Sequence, residues 1–509
     1  MKIAFVVNII QSLGIEYMSA ILKKAGYDVR LFVDPQLFND GTFYFKKLEK
    51  IFDFSDWIVR EIKNYNPDLI GFSVLTDYYE WASKLAGMLK ASMDVQIIFG
   101  GMHPTIVPEL VIKNKFVDMI CIGEGEYPML ELAASMAKGK IDYSIKNLWF
   151  KKNGTIIRND IRPLIENLDS LPLPDKDLYC MASPHFRIHY YITTGRGCPH
   201  MCSYCCNSYL HKLFRSKGKF VRLRSPKNIL REIEYIVGKY GKKFIFFVDE
   251  NFGMNLDWLK RFAELYKKQI NIPYAAVMHP ADVIQEKIGY LKDSGCSFIN
   301  LGVQAWDENI REKWFNRRVS NETMKKAIRL IQDNKIELMV DNIIDIPGQS
   351  IEDLIKSNMV YVRVRPKRLQ FFRLRYFPKH GITLKAREEG WITDSFYENV
   401  LQGKDYKRFL IESPLGGAGE KQNLRFIQAH KLLLLMDMVP AVVIEFLAAR
   451  KFYRFFSGNM FMIYMLRRLF YSDTEVHMTR KSILVRYAYF MKDKIIAKFR
   501  GVCENSVCQ

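Results

Sequence analysis

Three cysteines, Cys198, Cys202 and Cys205, are the residues of this chain whose type and spacing point most directly to chemistry. They form a C-x3-C-x2-C pattern on a loop that follows the apolar, strand-like run 190–194. Thiolates bind iron, and three of them can hold three irons of a four-iron cubane cluster. The fourth iron is then left without a protein ligand and can bind another molecule.

Two other uses of these thiols compete with the cluster. A structural zinc site normally closes with a fourth Cys or His, and Cys206 and His200 are the candidates nearby. Both lie so close in sequence to the other ligands that a tetrahedron would be strained. A C-x-x-C pair also suits a thioredoxin-like redox site. The strand pattern before the motif favours the cluster over both alternatives.

The same spacing, with the aromatic Tyr204 just before the last cysteine, closely resembles the signature of the radical S-adenosylmethionine (SAM) enzymes. The resemblance implies that the open iron of a [4Fe-4S] cluster binds the amino and carboxylate groups of SAM. It also implies that an electron from the cluster cleaves SAM to a 5′-deoxyadenosyl radical. Cys198, Cys202 and Cys205 would then be metal ligands and catalytic residues.

The length and composition of the chain bound its domain count and its compartment. At 509 residues it exceeds the usual size of one hydrophobic core, which predicts two or three domains. Residues 1–8 enter a buried-strand pattern directly, without the cleavage region of a signal peptide. Nine cysteines without secretory features indicate a reducing compartment. We therefore expect a cytoplasmic protein.

The net charge is +21, and much of it lies near the C-terminus. Residues 450–500 hold twelve Lys or Arg against three Asp or Glu, interleaved with apolar and aromatic side chains. Such a segment can contact an anionic membrane surface or bind nucleic acid. A solvated basic face over a helical core is the simpler interpretation, and we favour it. Of the other two, peripheral membrane contact is kept as an expectation, and nucleic acid is not expected.

Residues 1 to about 140 alternate short apolar strands with helical patterns, which predicts a parallel sheet with helices on its faces. Polar and glycine residues gather just after the strand ends, where ligands of open parallel sheets bind. Three such clusters together indicate the site of a large cofactor. The predicted strands are 2–7, 29–33, 68–74, 95–99 and 119–122. The candidate ligand-contacting residues are Ser73, Thr76, Gly100, Gly101, His103, Gly123 and Glu124.

The order of the G-F-S, G-G-x-H-P-T, P-E and G-E-G-E elements in this region is similar to the cobalamin-binding domain of B12-dependent radical SAM enzymes. The resemblance extends over residues 1 to about 385 and implies a flavodoxin-like domain that binds cobalamin. The D-x-H-x-x-G motif, through which some cobalamin proteins supply a histidine to cobalt, is absent. His103 is therefore expected to contact the cofactor without ligating cobalt, or else to be purely structural.

A second series of strands, separated by helical patterns, follows the cysteine loop. Six such units fit the partial (β/α)6 barrel that the resemblance implies, with function at the carboxyl ends of the strands. The predicted strands are 190–194, 244–248, 274–277, 298–303, 337–344 and 369–374. The predicted domains are a cobalamin-binding unit over 1–145, a linker over 146–185, a radical SAM barrel over 186–390 and a helical, basic region over 391–509.

Polar residues at the ends of the barrel strands are the remaining candidates for cofactor contacts. Asp249 and Glu250 lie where relatives hydrogen-bond the amino group of SAM, and a carboxylate suits an ammonium; either acid could instead cap the next helix. Arg317 and Arg318 resemble the segment that pairs with the SAM carboxylate, and the sequence does not decide between them.

Three further residues complete the candidate SAM site. Gln304 stands where relatives often have Glu, and it could hydrogen-bond the ribose hydroxyls. Ile344 lies in a fifth-strand segment that resembles the one packing on the adenine. Tyr204, within the cysteine motif, is expected to contribute backbone contacts there. Polar residues at strand ends are common in any barrel, so each of these assignments depends on the resemblance.

The resemblance implies an enzyme with three cofactors, a [4Fe-4S] cluster, SAM and cobalamin. The leading interpretation is methylation of an unactivated carbon of a small-molecule or lipid-like substrate, with an external electron donor such as a flavodoxin or ferredoxin. Cyclisation or oxidation without methyl transfer is the alternative within the same family. A non-catalytic cobalamin or metal sensor is the alternative from another class, but it would have no need of an open iron.

Overall fold

The computed structural model describes residues 1–39, 46–404, 428, 432, 439–455 and 481–492. These residues form two α/β units in succession, with further helices after the second unit. Within the described residues, no helix combines the length and the apolar character needed to cross a bilayer.

The first unit is a twisted sheet in which strands β1 to β5 run parallel in the order β2-β1-β3-β4-β5, as in flavodoxin-like folds. The parallel part of the fold prediction is confirmed, because each predicted strand appears within two residues of its expected bounds. The strands are β1 (Lys2–Val7), β2 (Asp28–Val33), β3 (Leu69–Ser73), β4 (Gln96–Gly100) and β5 (Met119–Cys121).

A hairpin of two antiparallel strands, β6 (Leu148–Lys152) and β7 (Thr155–Arg158), extends this sheet beyond β5. Phe150 of the hairpin pairs with Met119, and its side chain is buried in the same core as the β1 residues. From sequence, these residues are predicted to belong to the linker over 146–185. In the structure their backbone hydrogen bonds and their buried side chains join them to the first unit.

Helices cover both faces of the first sheet, since every strand side chain must be buried on one face or the other. One face packs on α1, α7 and α8, and the other on α3 to α6. The helices of this unit and its linker are α1 (Leu13–Lys24), α2 (Lys46–Ile51), α3 (Ser55–Tyr65), α4 (Tyr79–Ser92), α5 (Met102–Ile106), α6 (Pro108–Lys113), α7 (Glu126–Ala137) and α8 (Lys176–Ala182).

The second unit is a six-stranded, all-parallel sheet flanked by a short two-stranded ribbon. Its strand order, β15-β14-β13-β12-β11-β8, follows the chain from one edge to the other, and the prediction of six parallel strands is confirmed. The sheet strands are β8 (Tyr190–Ile192), β11 (Ile245–Phe247), β12 (Tyr274–Met278), β13 (Cys296–Gln304), β14 (Glu337–Ile344) and β15 (Arg368–Arg373), and the ribbon is β9 (Gly195–Arg196) with β10 (Arg222–Leu223).

Most helices of the second unit pack their apolar stripes on the outer face of this sheet and form, with its strands, the largest core among the described residues. Trp314, Ile382 and Val400 lie in a separate, smaller cluster, and Tyr209 packs against a core of the first unit. They are α9 (Cys206–Leu213), α10 (Pro226–Tyr240), α11 (Leu256–Gln269), α12 (Gln285–Asp293), α13 (Glu308–Phe315), α14 (Asn321–Asp333), α15 (Ile351–Val364), α16 (Gly381–Glu388) and α17 (Asp394–Leu401).

The sequence predicts that the alternation of strands and helices stops after the barrel and that helices follow. The described residues beyond α17 are mainly helical. Helix α18 (Ala441–Ala449) buries Ile444 and Ala448 in the barrel core, and residues 481–492 form another helix. Much of the region predicted to be helical and basic, including most of residues 426–438 and the tail with Cys503 and Cys508, lies outside the described residues.

A buried group of charges joins the two units through the linker. Lys176 of α8 contacts Glu16 of α1 at 2.6 Å and Glu232 of α10 at 3.2 Å, and Arg224 contacts Glu232 at 2.5 Å. Burial raises the pKa of Glu16 to about 7, against the lowering effect of Lys176. The two acids and the two cations balance, so the first unit is held on the barrel by paired charges.

Candidate active site

The cysteine loop connects the ribbon strand β9 to helix α9. Its first residue, Gly197, has a φ of +85°, and a Cβ there would lie 2.4 Å from the carbonyl oxygen of Phe220. Only glycine fits this position. Cys198 and Cys202 are buried and Cys205 is half-buried, so the loop turns all three thiols away from bulk water.

The middle of the loop is fixed by hydrogen bonds from two helices. The Ser203 N–H donates to the carbonyl of Phe315 at 3.0 Å, and the Ser203 carbonyl accepts from the N–H of Ile382 at 3.1 Å. Asn316 adds a side-chain bond from Nδ2 to the carbonyl of Met201 at 3.0 Å. A loop held in this way keeps its three thiols at fixed positions.

The three thiols are not grouped as closely as the ligands of a single ion. Among the described residues, the metal-ligand atoms that gather within 4.8 Å of one another belong to His200, His279 and Asp282, and not to the cysteines. Ligands of one zinc at about 2.3 Å would lie within about 4 Å of each other. The wider thiol triad fits a cluster in which each thiolate binds a different iron.

The acidity of the thiols differs along the loop. A hydrogen bond with Cys206 lowers the pKa of Cys205 to about 7, whereas burial raises the pKa of Cys198 to about 12. Metal ligation requires thiolates. Of these two thiols, Cys205 therefore loses its proton more readily.

The two adjacent acids, Asp249 and Glu250, have different surroundings, and Glu250 is the one beside the cysteine loop. Glu250 lines the cavity described below, accepts a hydrogen bond from Asn207, and burial raises its pKa. Asp249 instead accepts from the backbone N–H and the hydroxyl of Thr194, both at 2.8 Å. Burial raises the pKa of Asp249 to about 7. Glu250 is thus the acid that faces the open space.

The two adjacent arginines, Arg317 and Arg318, also differ clearly in burial and contacts. Arg317 is 6% exposed and donates from Nη1 to the hydroxyl of Tyr204 at 2.9 Å, and the same nitrogen lies 3.9 Å from Cys202 Sγ. Its Nη2 donates to the carbonyl of Gly302. The Arg318 side chain is 82% exposed and contacts an exposed glutamate. Only Arg317 belongs to the surroundings of the cysteine loop.

The strands beside Arg317 end in strained backbone. Gln304, the last residue of β13, has a φ of +71°, and Asp345, directly after Ile344 at the end of β14, has a φ of +66°. Such left-handed conformations are rare outside glycine and concentrate at functional sites. Both candidates, Gln304 and Ile344, lie at this carboxyl edge and are half-buried.

A cavity of about 460 Å³ lies where the carboxyl edge of the first sheet meets the cysteine loop. Residues from both units line it, so the two strand edges face a common space. From the first unit these include Ser12, Ser73, Gly100, Gly101, Gly123 and Glu124. From the second unit they include Thr193, Arg196, Gly197, Asn207 and Glu250.

Two of the lining glycines are required by the protein itself. Gly101 has a φ of +95°, and a Cβ there would lie 2.8 Å from the backbone nitrogen of Val74. Gly123 has a φ of +77°, and its Cβ would lie 2.6 Å from the ring of Phe214 in the second unit. Gly100 shows no such conflict. A Cβ at Gly100 would make only ordinary contacts, the nearest at 3.6 Å from Cys121 Cβ, so packing within the protein does not require glycine there.

His103 and Thr76 are not among the residues that line the cavity. His103 is fully buried, its Nδ1 lies 3.2 Å from the Thr76 hydroxyl, and its ring packs 4.4 Å from that of Tyr79. Burial lowers the pKa of His103 to about 3, which keeps the ring neutral. The pair lies behind the cavity wall, consistent with the structural role weighed for this histidine.

The sequence analysis included Glu124 among the candidates but missed its partners Arg196 and Arg222, with which it bridges the two units at the cavity. Glu124 accepts from Arg196 at 2.7 Å and from Arg222 at 2.9 Å, and Arg196 also bonds Glu126 at 2.5 Å. Arg196 directly precedes the cysteine motif and Asn207 follows it. Their position beside the motif is the one signal that could have identified them.

Replacing Glu124 with Gln is expected to lower the free energy of unfolding by about 2 kcal/mol, because Arg196 and Arg222 lose the charge that they share. The thermal unfolding midpoint measures the effect. Glu131→Gln is the matched control, since Glu131 is 46% exposed and pairs with Arg162 at the surface. Equal midpoints for the two variants would show that the Glu124 bridge does not hold the units together.

The chain matches the radical SAM superfamily over residues 192–357 and the B12 binding domain over residues 3–133. The two matched regions contain the cysteine loop and the carboxyl edge of the first sheet. The chain therefore belongs to the B12-binding radical SAM enzymes. Its cofactors are a [4Fe-4S] cluster, SAM and cobalamin.

Relatives and solved structures agree with this assignment. The chain is 26% identical over 351 residues to an uncharacterized methyltransferase, PH0819, of Pyrococcus horikoshii, covering 67% of this chain and 71% of that protein. It is 25% identical over 359 residues to the anaerobic magnesium-protoporphyrin IX monomethyl ester cyclase of Rubrivivax gelatinosus, covering 67% and 60%. The chain thus spans about three fifths of the length of the cyclase.

The fold is similar to that of OxsB, a cobalamin-dependent SAM radical enzyme whose structure contains aqua-cobalamin and SAM. The TM-score is 0.64 at 16% identity, over 98% of this chain and 81% of that chain. At this identity the likeness extends to the fold alone.

Proposed function

We propose that this protein methylates an unactivated carbon of a small-molecule or lipid-like substrate. The observation that carries the proposal is the shared cavity, because it brings the carboxyl edge of the B12-binding unit against the cysteine loop. Methyl transfer to a substrate radical requires both cofactors to reach one substrate. The methyltransferase among the relatives supports the same outcome.

When bound, the cluster supplies one electron, SAM a carbon-centred radical, and cobalamin a methyl group. The residues of the chain hold and orient these groups and exclude water. Cys198, Cys202 and Cys205 are the proposed cluster ligands. The cavity beside the cysteine loop is lined by residues of both units, which would limit the access of solvent to a reactive radical.

The amino-acid end of SAM is proposed to lie between two opposite charges. Glu250, with Asn207 beside it, is the proposed partner of the ammonium, and Arg317 is the proposed partner of the carboxylate. Tyr204 accepts a hydrogen bond from Arg317 and so fixes the direction of the guanidinium. Asp249 is proposed not to contact SAM directly but to hold the chain at Thr194, before the cysteine loop, through a hydrogen bond.

The remaining candidates divide between the other contacts. Gln304 is proposed to hydrogen-bond the ribose, and Ile344 to pack on the adenine. On the cobalamin side we propose Ser73, Gly100 and Glu124 as contacts. Gly101 and Gly123 are proposed to shape the cavity wall itself. Thr76 and His103 are proposed to support that wall from behind.

We also propose a cytoplasmic location, with reduction by an external flavodoxin or ferredoxin. Peripheral membrane contact through the C-terminal region is supported by the exposed apolar residues Val442, Phe446 and Phe455. They lie beside the cations Arg450 and Arg454, a combination that suits an anionic surface.

The methyltransferase proposal is tested by incubating the anaerobic, cobalamin-loaded protein with SAM and a strong reductant. Both 5′-deoxyadenosine and S-adenosylhomocysteine are expected, the first from radical formation and the second from methyl donation. Formation of 5′-deoxyadenosine alone would refute methyl transfer.

Formation of 5′-deoxyadenosine without S-adenosylhomocysteine would favour the alternative function, a cyclase or oxidoreductase that uses the same cofactors. The specific observation in its favour is the similarity to the magnesium-protoporphyrin cyclase, which matches at nearly the same identity as the methyltransferase. The two functions require the same cluster ligands, so only the products separate them.

A further inference from the structure

Asp282, a carboxylate of the barrel, is hydrogen-bonded to His200, a residue within the cysteine motif. His200, between Cys198 and Cys202, donates from Nε2 to Asp282 Oδ2 at 3.0 Å, since an ionised carboxylate can only accept. Asn251 donates to the same oxygen at 2.7 Å. One oxygen therefore links the cluster loop to the segment that follows strand β11.

The same group is tied to the end of strand β12. Asn251 Oδ1 accepts from the backbone N–H of His279 at 3.0 Å. The ring of His279 stacks on that of His200, with the centroids 3.6 Å apart and an interplanar angle of 18°. Asn251 and His279 are more than nine-tenths buried, so this arrangement is part of the interior.

The charge of Asp282 is only loosely compensated. Lys287 Nζ lies 4.0 Å from Asp282 Oδ1, and this lysine donates its hydrogen bond to the carbonyl of Met254 at 3.2 Å. The hydrogen bonds from His200 and Asn251 satisfy one carboxylate oxygen without neutralising it. A negative charge is thus held behind the cluster loop.

A metal ion bound by His200, His279 and Asp282 is the other interpretation of this group, because their ligand atoms lie within 4.8 Å of one another. The geometry opposes it. Two nearly parallel stacked rings cannot both direct in-plane lone pairs at one ion. The Nδ1 of His279, moreover, already accepts from the N–H of Ala281 at 3.2 Å.

We propose that Asp282 is a positioning residue that fixes the cluster loop through His200 and that its negative charge lowers the reduction potential of the cluster. The inference rests on the proposed function, because it concerns the cluster on which the radical chemistry depends. Reduction adds an electron to a cluster already surrounded by three thiolates. A nearby carboxylate disfavours the reduced state, and a neutral side chain at the same position would not.

The test compares Asp282→Asn, Asp282→Ala and His200→Ala in protein reconstituted anaerobically with iron and sulfide. Asp282→Asn keeps an oxygen acceptor for His200 and is expected to retain wild-type iron while shifting the cluster midpoint, followed by electron paramagnetic resonance, to a more positive potential. Asp282→Ala and His200→Ala are expected to lose iron to a chelator at least several times faster. Asp293→Asn, an exposed acid at the end of α12, is the control and is expected to change neither.

The outcomes separate this inference from the proposed function. A redox-active cluster whose midpoint is unmoved by Asp282→Asn would overturn the inference alone. About one zinc per chain that disappears in His200→Ala would replace it with the metal site. A wild-type protein that takes up no cluster would overturn the proposed function and this inference together.

Discussion

Replacing Cys202 with alanine is expected to reduce the iron content from about four atoms per chain to below about one. Cys202 is buried in the loop, and its Sγ lies 3.9 Å from Arg317 Nη1. A cubane bound by two thiolates has two open irons and is readily lost. Iron analysis after anaerobic reconstitution measures the effect, and production of 5′-deoxyadenosine from SAM should cease.

Cys206→Ala is the matched control, because Cys206 is the adjacent thiol and its contact is a hydrogen bond with Cys205. It is expected to retain most of the iron. Circular dichroism should show the same helix content in both variants. Full iron in Cys202→Ala, or loss of iron only in Cys206→Ala, would show that the ligand set has been assigned wrongly.

Replacing Arg317 with methionine is expected to weaken SAM binding by about thirtyfold or more, equivalent to about 2 kcal/mol, since the proposed charge-assisted hydrogen bond to the SAM carboxylate would be lost. The side chain is 6% exposed and directed by the Tyr204 hydroxyl and the Gly302 carbonyl. The affinity is measured from the change in the cluster spectrum as SAM is added to protein with full iron content.

Arg318→Met removes the same charge one residue away and provides the control. Its side chain is 82% exposed and pairs with Glu312 at the surface, so SAM affinity should stay within about twofold of wild type. Similar losses in both variants would point to a general effect of charge, and a loss confined to Arg318→Met would reverse the assignment.

The sequence predicted the fold well because the information is local. Each buried strand of the two parallel sheets is a short apolar run such as 244–248, and strong runs of this kind are readable without knowledge of their neighbours. The hairpin over 148–158 shows the limit of that method. Its residues alternate like any exposed hairpin, and the pairing of residues 148–150 with 119–121 joins them to the first sheet.

The sequence predicted which types of residue the site contains, but not which of two adjacent candidates faces it. Adjacent candidates, Asp249 with Glu250 and Arg317 with Arg318, have the same chemistry, and which one faces the site depends on contacts such as that of Asp249 with Thr194. His103 illustrates the same point, since its motif suggests a ligand contact while packing buries it behind the wall. The Glu124–Arg196 ion pair joins residues of different units, so no local sequence pattern indicates it.

The most direct test of the account is the metal content and visible spectrum of protein purified without oxygen from cells supplied with cobalamin. About four iron atoms and about one cobalt per chain are predicted, together with the absorption of both cofactors. Iron without cobalt would contradict the assignment of the cavity beside the first sheet. Zinc as the only metal would contradict the cluster and with it the radical mechanism.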